Sequence, residues 1–114
     1  MNPESIIADL DASLLRAGEK VTVRRYMASS GTPRPKTDIE NVPAAVRAVK
    51  PEEMVGDIKA THSRVVLSPT GLASLLPLKK DDKIVIQGRE RNIDHPGPIF
   101  VQGVLVRMNL MVAG

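Results

Sequence analysis

A mainly β fold, a small barrel or strongly curved sheet with one N-terminal α-helix and long loops, is the architecture this sequence predicts. Three observations lead there. Apolar residues at helical spacing are confined to the first eighteen positions. Beyond Lys20 the apolar residues recur at every second position in short runs. Eight glycines and nine prolines punctuate those runs. One helix followed by some five to seven short strands must curl the sheet on itself to bury a single apolar face. The length, 114 residues, suits one domain, with the helix over 3–17 and the barrel over 20–113. A chain of this size buries a modest core, so oligomerisation would add to its stability.

The elements follow in order. Asn2 offers a capping side chain, Pro3 a fixed φ for the first turn, and Glu4 a negative charge where the helix dipole favours it. Ile7, Leu10, Leu14 and Ala17 then form one apolar face, and Gly18 marks the stop. Val21 and Val23 alternate with Thr22 and Arg24 in a first strand reaching Met27. Residues 29–41, SSGTPRPKTDIEN, hold two prolines, one glycine and a single apolar residue, and are expected to form a mobile loop. Val42, Ala44, Val46 and Ala48 resume the period of two, with Pro43 marking an edge or entry point.

Residues 50–61 read as a loop with a small apolar group, Met54, Val55 and Ile58. A short strand over 64–67 follows, then one helical turn with Leu72, Leu75 and Leu76 as its apolar positions. Next come a charged turn over 79–82, a strand with Ile84 and Ile86 on one face, a reversal at Gly88, and a return strand to Ile93. HPGP, residues 95–98, is a break. The last strand sets Val104, Val106, Met108, Leu110 and Val112 on one face against Leu105, Arg107, Asn109 and Met111 on the other. That second face is half apolar and is available to the helix or to a neighbouring subunit.

Composition bounds the chemistry. Tyr26 and Phe100 are the only aromatics, so the core must be aliphatic. With no Cys there is no disulfide framework, thiolate nucleophile or Cys-based zinc site. No stretch approaches the roughly 18 apolar residues of a membrane span, and the first residues lack the basic leader and apolar run of a signal peptide. A soluble, intracellular protein without contact to membrane is expected. His62 and His95 stand far apart with no second ligand at metal spacing, and read as surface or loop residues. The carboxylate pairs Glu52-Glu53 and Asp81-Asp82 read as solvated turns. Neither a phosphate-cradling Gly-Lys-Ser/Thr loop nor a Gly-x-Ser-x-Gly elbow is present. The expectation is no enzyme and no cofactor.

Charge is uneven. The net +3 divides into −2 over residues 1–20, +4 over 21–50, −1 over 51–78 and +2 over 79–114. Such segments attract complementary surfaces on neighbouring copies, or nucleic acid. Arg24, Arg25, Lys79 and Lys80 are the candidate DNA-facing residues, with Arg34 and Lys36 in the loop between the first two strands. The near absence of stacking aromatics argues against sequence-specific recognition of single strands.

The C-terminal third, LKKDDKIVIQGRERNID over 78–94 followed by the closing strand VQGVLVRMNLMV, resembles the head–tail connector proteins of long-tailed bacteriophages. The likeness is strongest to the stopper or head-completion type, in which a charged turn, strand, Gly and strand form part of a small β-barrel. The upstream order of helix, strand, Pro-rich loop and VPAAVR strand is similar as well. The resemblance implies a virion neck protein assembled in the bacterial cytoplasm. Its ring, of six or twelve copies, would lie between the portal or its adaptor and the tail terminator or tail tube. It would close the filled head around a channel that DNA crosses without sequence-specific contact. Carried onto this chain, Arg34, Pro35 and Lys36 become the candidate lumen or inter-subunit loop, and Met54, Val55 and Ile58 the competing contact loop; either can face the channel. A tail terminator or adaptor of the same neck, and a standalone nucleic-acid-binding barrel, are the alternative expectations.

Overall fold

A computed structural model describes residues 2–28, 30–32, 35–54, 56, 58 and 61–113. Helix α1 spans Pro3–Ala17, and seven strands follow. They are β1 (Glu19–Tyr26), β2 (Lys36–Ala48), β3 (Ser63–Leu67), β4 (Lys83–Ile86), β5 (Arg89–His95), β6 (Pro98–Val101) and β7 (Val104–Val112). Single 3₁₀ turns lie at Pro51–Glu53 and Ala73–Leu75.

All pairings are antiparallel. The order β3-β2-β1-β4-β5-β7 closes through a β3–β7 ladder into a six-stranded barrel, and β6 lies outside the closure, paired to β7. Alternation along the strands turns Val21, Val23, Val42, Ala44, Val65, Leu67, Ile84, Ile86 and Ile93 into the interior. Met108, Leu110 and Val112 complete that lining from β7. The chain between β3 and β4 supplies the rest of the core with Leu72, Leu75 and Leu78, all buried. Small aliphatic side chains suffice because six strands enclose a narrow interior.

Helix α1 begins as its sequence dictates, with Asn2 Oδ1 accepting the Ser5 N–H at 2.8 Å and Pro3 in the first turn. The helix packs on β2 and β7, which assigns the helix to the barrel wall. Its apolar face is only partly covered. Leu14 is buried, Ile7 and Leu10 are half-buried, and Ala17 is exposed. Gly18 ends the helix, but not through a left-handed cap: its φ is −94°. A Cβ there would collide with the Ala44 carbonyl oxygen and lie 2.6 Å from that of Leu14. Glycine is needed because β2 passes against the helix end.

Three segments differ from expectation. The loop expected over 29–41 is shorter, because β2 starts at Lys36. Asp38 stands directly opposite Arg24 on β1, so a cross-strand ion pair holds this part of the strand where an apolar face is lacking. A bulge follows, with Glu40 and Asn41 opposite Thr22 and Asn41 at φ 58°. Pro43 therefore lies inside β2, just beyond the β2–β3 ladder that starts at Ala44. The third difference is β6, formed where only a break is expected. The turn Gln102-Gly103, at φ 52° and 77°, has the left-handed pair that a two-residue hairpin requires. The expected reversal at Gly88 has the same form, with Gln87 at 51° and Gly88 at 80°.

Candidate functional site

The ladder between β1 and β4 ends at Arg24, whereas that between β1 and β2 continues to Tyr26 and Lys36. The far end of the β1–β2 hairpin thus leaves the barrel as two strands, and Met27 N–H still bonds the Pro35 carbonyl at 2.8 Å. Against this arm lies the turn preceding β4. Together they bound an open concavity lined by Arg25, Tyr26, Met27, Lys79, Lys80 and Lys83, among others. Asp81 and Asp82 also line it, so four cationic side chains stand against two carboxylates there.

The four sequence-predicted DNA-facing residues, of which Arg25, Lys79 and Lys80 line this recess, divide into two kinds. Arg24 and Arg25 are committed within the molecule. Arg24 donates to both Asp38 oxygens at 2.8 and 3.0 Å and to Glu90 at 2.9 Å. Arg25 clamps Asp82 at 3.0 and 2.7 Å and bonds the carbonyls of Leu75 and Pro77. Tyr26 completes the first group with a short hydrogen bond to Glu90. Those charges are matched by carboxylates and contribute little outward field. Lys79 and Lys80, by contrast, are exposed, and neither forms an ion pair among the described residues.

Of the candidate loop 34–36, Arg34 lies outside the described residues, Pro35 is exposed, and Lys36 extends from the arm with Asp38 at 3.9 Å. Among the described residues, Lys36, Lys79 and Lys80 are thus the exposed cations of the hairpin arm and the pre-β4 turn. In the second candidate loop Met54 is 40% exposed and Ile58 half-buried, while Val55 lies outside the described residues. That loop is tied down at its start. Glu53 accepts from Arg47 at 2.8 and 3.0 Å, from Arg64 at 2.8 Å and from the Lys50 N–H at 2.9 Å.

The acidic pairs are therefore not simply solvated. Glu53 is held far below the usual carboxylate range by Arg47, the Lys50 amide and Arg64. Asp82 is buried beneath Arg25 and also accepts the Lys79 N–H at 2.9 Å. His62 likewise departs from the surface reading. It is 9% exposed, with Nε2 2.8 Å from Asp94 Oδ2, whereas His95 at the end of β5 is exposed. Spacing along the chain could not reveal these partners, which lie 57 and 32 residues away.

A second surface was not singled out by the sequence. On the β6–β7 hairpin, Phe100 is 57% exposed, Val104 45% and Ile99 39%, and on α1 Leu15 is 66% exposed. Among the described residues no group of three or more His, Asp or Glu is placed to hold a metal ion, and no helix is long and apolar enough to cross a membrane. Compared with models of known protein families and with curated protein sequences, the chain matches none.

Proposed function

We propose that the protein is a structural component of the neck of a long-tailed bacteriophage. It forms a ring between portal or adaptor and tail, closes the DNA-filled head and offers the tail its attachment surface. One observation carries this reading. A closed small barrel with an N-terminal helix extends a two-stranded arm whose outward charge, with that of the neighbouring turn, is Lys36, Lys79 and Lys80. Ring symmetry would repeat those lysines around an axis and turn a weak local charge into a belt. DNA sliding through such a belt needs phosphate contacts and no stacking platform. The role needs no catalytic constellation, and the carboxylates of the turns serve as loop anchors.

The test replaces Lys36, Lys79 and Lys80 together by Glu in the phage. These side chains are exposed, so circular dichroism of the purified variant should match wild type. Infectious particle yield should fall at least tenfold; an unchanged yield would remove the lysines from the proposed role. A tail-terminator or adaptor position in the same neck would give the same charge dependence and a different partner. The same lysines also support a second reading, a standalone barrel that binds nucleic acid in the cell. It predicts DNA binding by the purified monomer with log K falling against log salt at a slope of about −3 for three phosphate contacts. No binding at low salt would remove it.

A further inference from the structure

The C-terminal half of α1 and β2 enclose a groove of about 160 Å³, lined by Leu14, Leu15, Val42 and Pro43 and bordered by Thr70 and Asp11. Its wall is overwhelmingly apolar. The polar border is fixed, because Thr70 Oγ1 donates to Asp11 at 2.7 Å. A dry apolar cavity of about 150 Å³ is enough to bind benzene, so this groove has the capacity of one phenyl ring. The chain has two aromatic rings. Tyr26 is engaged with Glu90, and Phe100 stands 57% exposed on β6.

Phe100 does not fill the groove of its own copy. The β6–β7 turn lies beside the start of α1, where Gln102 and Val104 approach Pro3, Glu4 and Ile7. The groove lies at the other end, beside Leu14 and Leu15. Along the helix the two regions are nearest at Ile7 and Asp11, four positions or about 6 Å apart, and reach to Glu4 and Leu15, eleven positions or about 16 Å apart. The hairpin turn thus meets the N-terminal half of α1 and the groove its C-terminal half, so a hairpin docking on a groove joins two different surfaces, the arrangement of a head-to-tail contact.

The hairpin is built for such a contact. β6 is a terminal strand outside the barrel, and Pro98–Val101 carries no charged side chain to discourage pairing. Charge is complementary too. The hairpin from Pro98 to Val112 has Arg107 and no carboxylate, whereas α1 has Glu4, Asp9 and Asp11 against Arg16 alone. We propose that the β6–β7 hairpin of one copy docks on the α1–β2 groove of a second copy, with the Phe100 ring seated between Leu15 and Pro43. The contact deepens the ring reading and rests on it, since a heterologous contact closes a ring when its rotation permits.

Sedimentation of wild type, Phe100→Asp and Leu15→Asp, singly and mixed, tests this. Both positions are exposed, so circular dichroism and melting temperature serve as fold controls. The expected result is an oligomer for wild type and a monomer for each variant alone. Mixing the variants should give a 1:1 heterodimer and nothing larger, because one supplies an intact groove and the other an intact ring. A wild-type oligomer that neither variant dissociates would overturn the docking while leaving the ring reading standing. Wild type that stays monomeric would also overturn it, and the neck reading would then rest on the particle phenotype alone. Wild-type monomer whose Leu14 and Leu15 methyl resonances shift with added toluene would assign the groove to another protein's aromatic side chain, and so overturn self-docking.

Discussion

Asp82 and Glu53 do the same work at different loops, each holding a turn to the barrel through arginine. Removing the Asp82 carboxylate leaves Arg25, itself only 20% exposed, without a counter-ion, together with an unbonded Lys79 amide. Asp82→Ala should therefore cost about 2–4 kcal/mol in urea unfolding, the lower part of the range reflecting the access of water to Arg25. Lys80→Ala, in the same turn but exposed, should change stability by no more than about 0.5 kcal/mol. Equal effects of the two would mean that the Arg25–Asp82 clamp is not structural.

Four carboxylates, Glu53 again among them, are held low in the folded protein and should make it acid-sensitive. Asp38 is held low by Arg24, Glu53 by Arg47, the Lys50 amide and Arg64, and Glu90 by Tyr26 with Arg24. For Asp94, burial pushes upward, and the bonds from Asn92 and His62 outweigh it. Each folded-state value lies below the unfolded one of about 4, so the unfolded chain takes up protons first as pH falls. The contribution is complete above about pH 5 and is lost as pH drops through 4 and below. Melting temperature should thus be flat from pH 7 to 5 as far as these groups act, and should fall steeply below 4. A protein equally stable at pH 3 and 6 would contradict this.

At the scale of elements, Gly18 gives the sharpest prediction. Its lost Cβ allows the helix end to pass the Ala44 carbonyl, so Gly18→Ala should destabilise by about 1–3 kcal/mol although alanine favours helices elsewhere. No loss on substitution would mean that β2 and the helix end yield at no cost.

Legibility also differed between elements, for physical reasons. Helix α1 was readable because its cap, its proline and its apolar spacing agree over fifteen residues. The β4–β5 hairpin was readable because the alternation of Ile84 and Ile86 leads directly into Gln87-Gly88. The start of β2 was not, because its stability comes from Arg24 on another strand opposite Asp38, a partner fourteen residues away. β6 was hidden by the two prolines flanking Gly97 and by its place at an edge, where strands need no buried face. At the candidate site, the exposure of Lys79 and Lys80 follows from their charged turn, whereas the capture of Arg24 and Arg25 depends on tertiary pairing.

For the whole molecule, the arm and the pre-β4 turn present Lys36, Lys79 and Lys80 outward, while α1 bears a net negative charge. The internal pairing of Arg24 and Arg25 reduces the outward cations to fewer than the composition suggests. The proposed neck role needs only that: enough positive charge for DNA to pass, and surfaces able to repeat from copy to copy. The barrel is closed by the β3–β7 ladder, and the parts left outside the closure are the end of the β1–β2 hairpin and strand β6.

Electron microscopy of particles produced after removing this gene from the phage or prophage that the proposed neck role implies would examine closure of the head. Head closure by this protein should then be seen as free tails beside heads that have lost their DNA. Intact, infectious virions would contradict it.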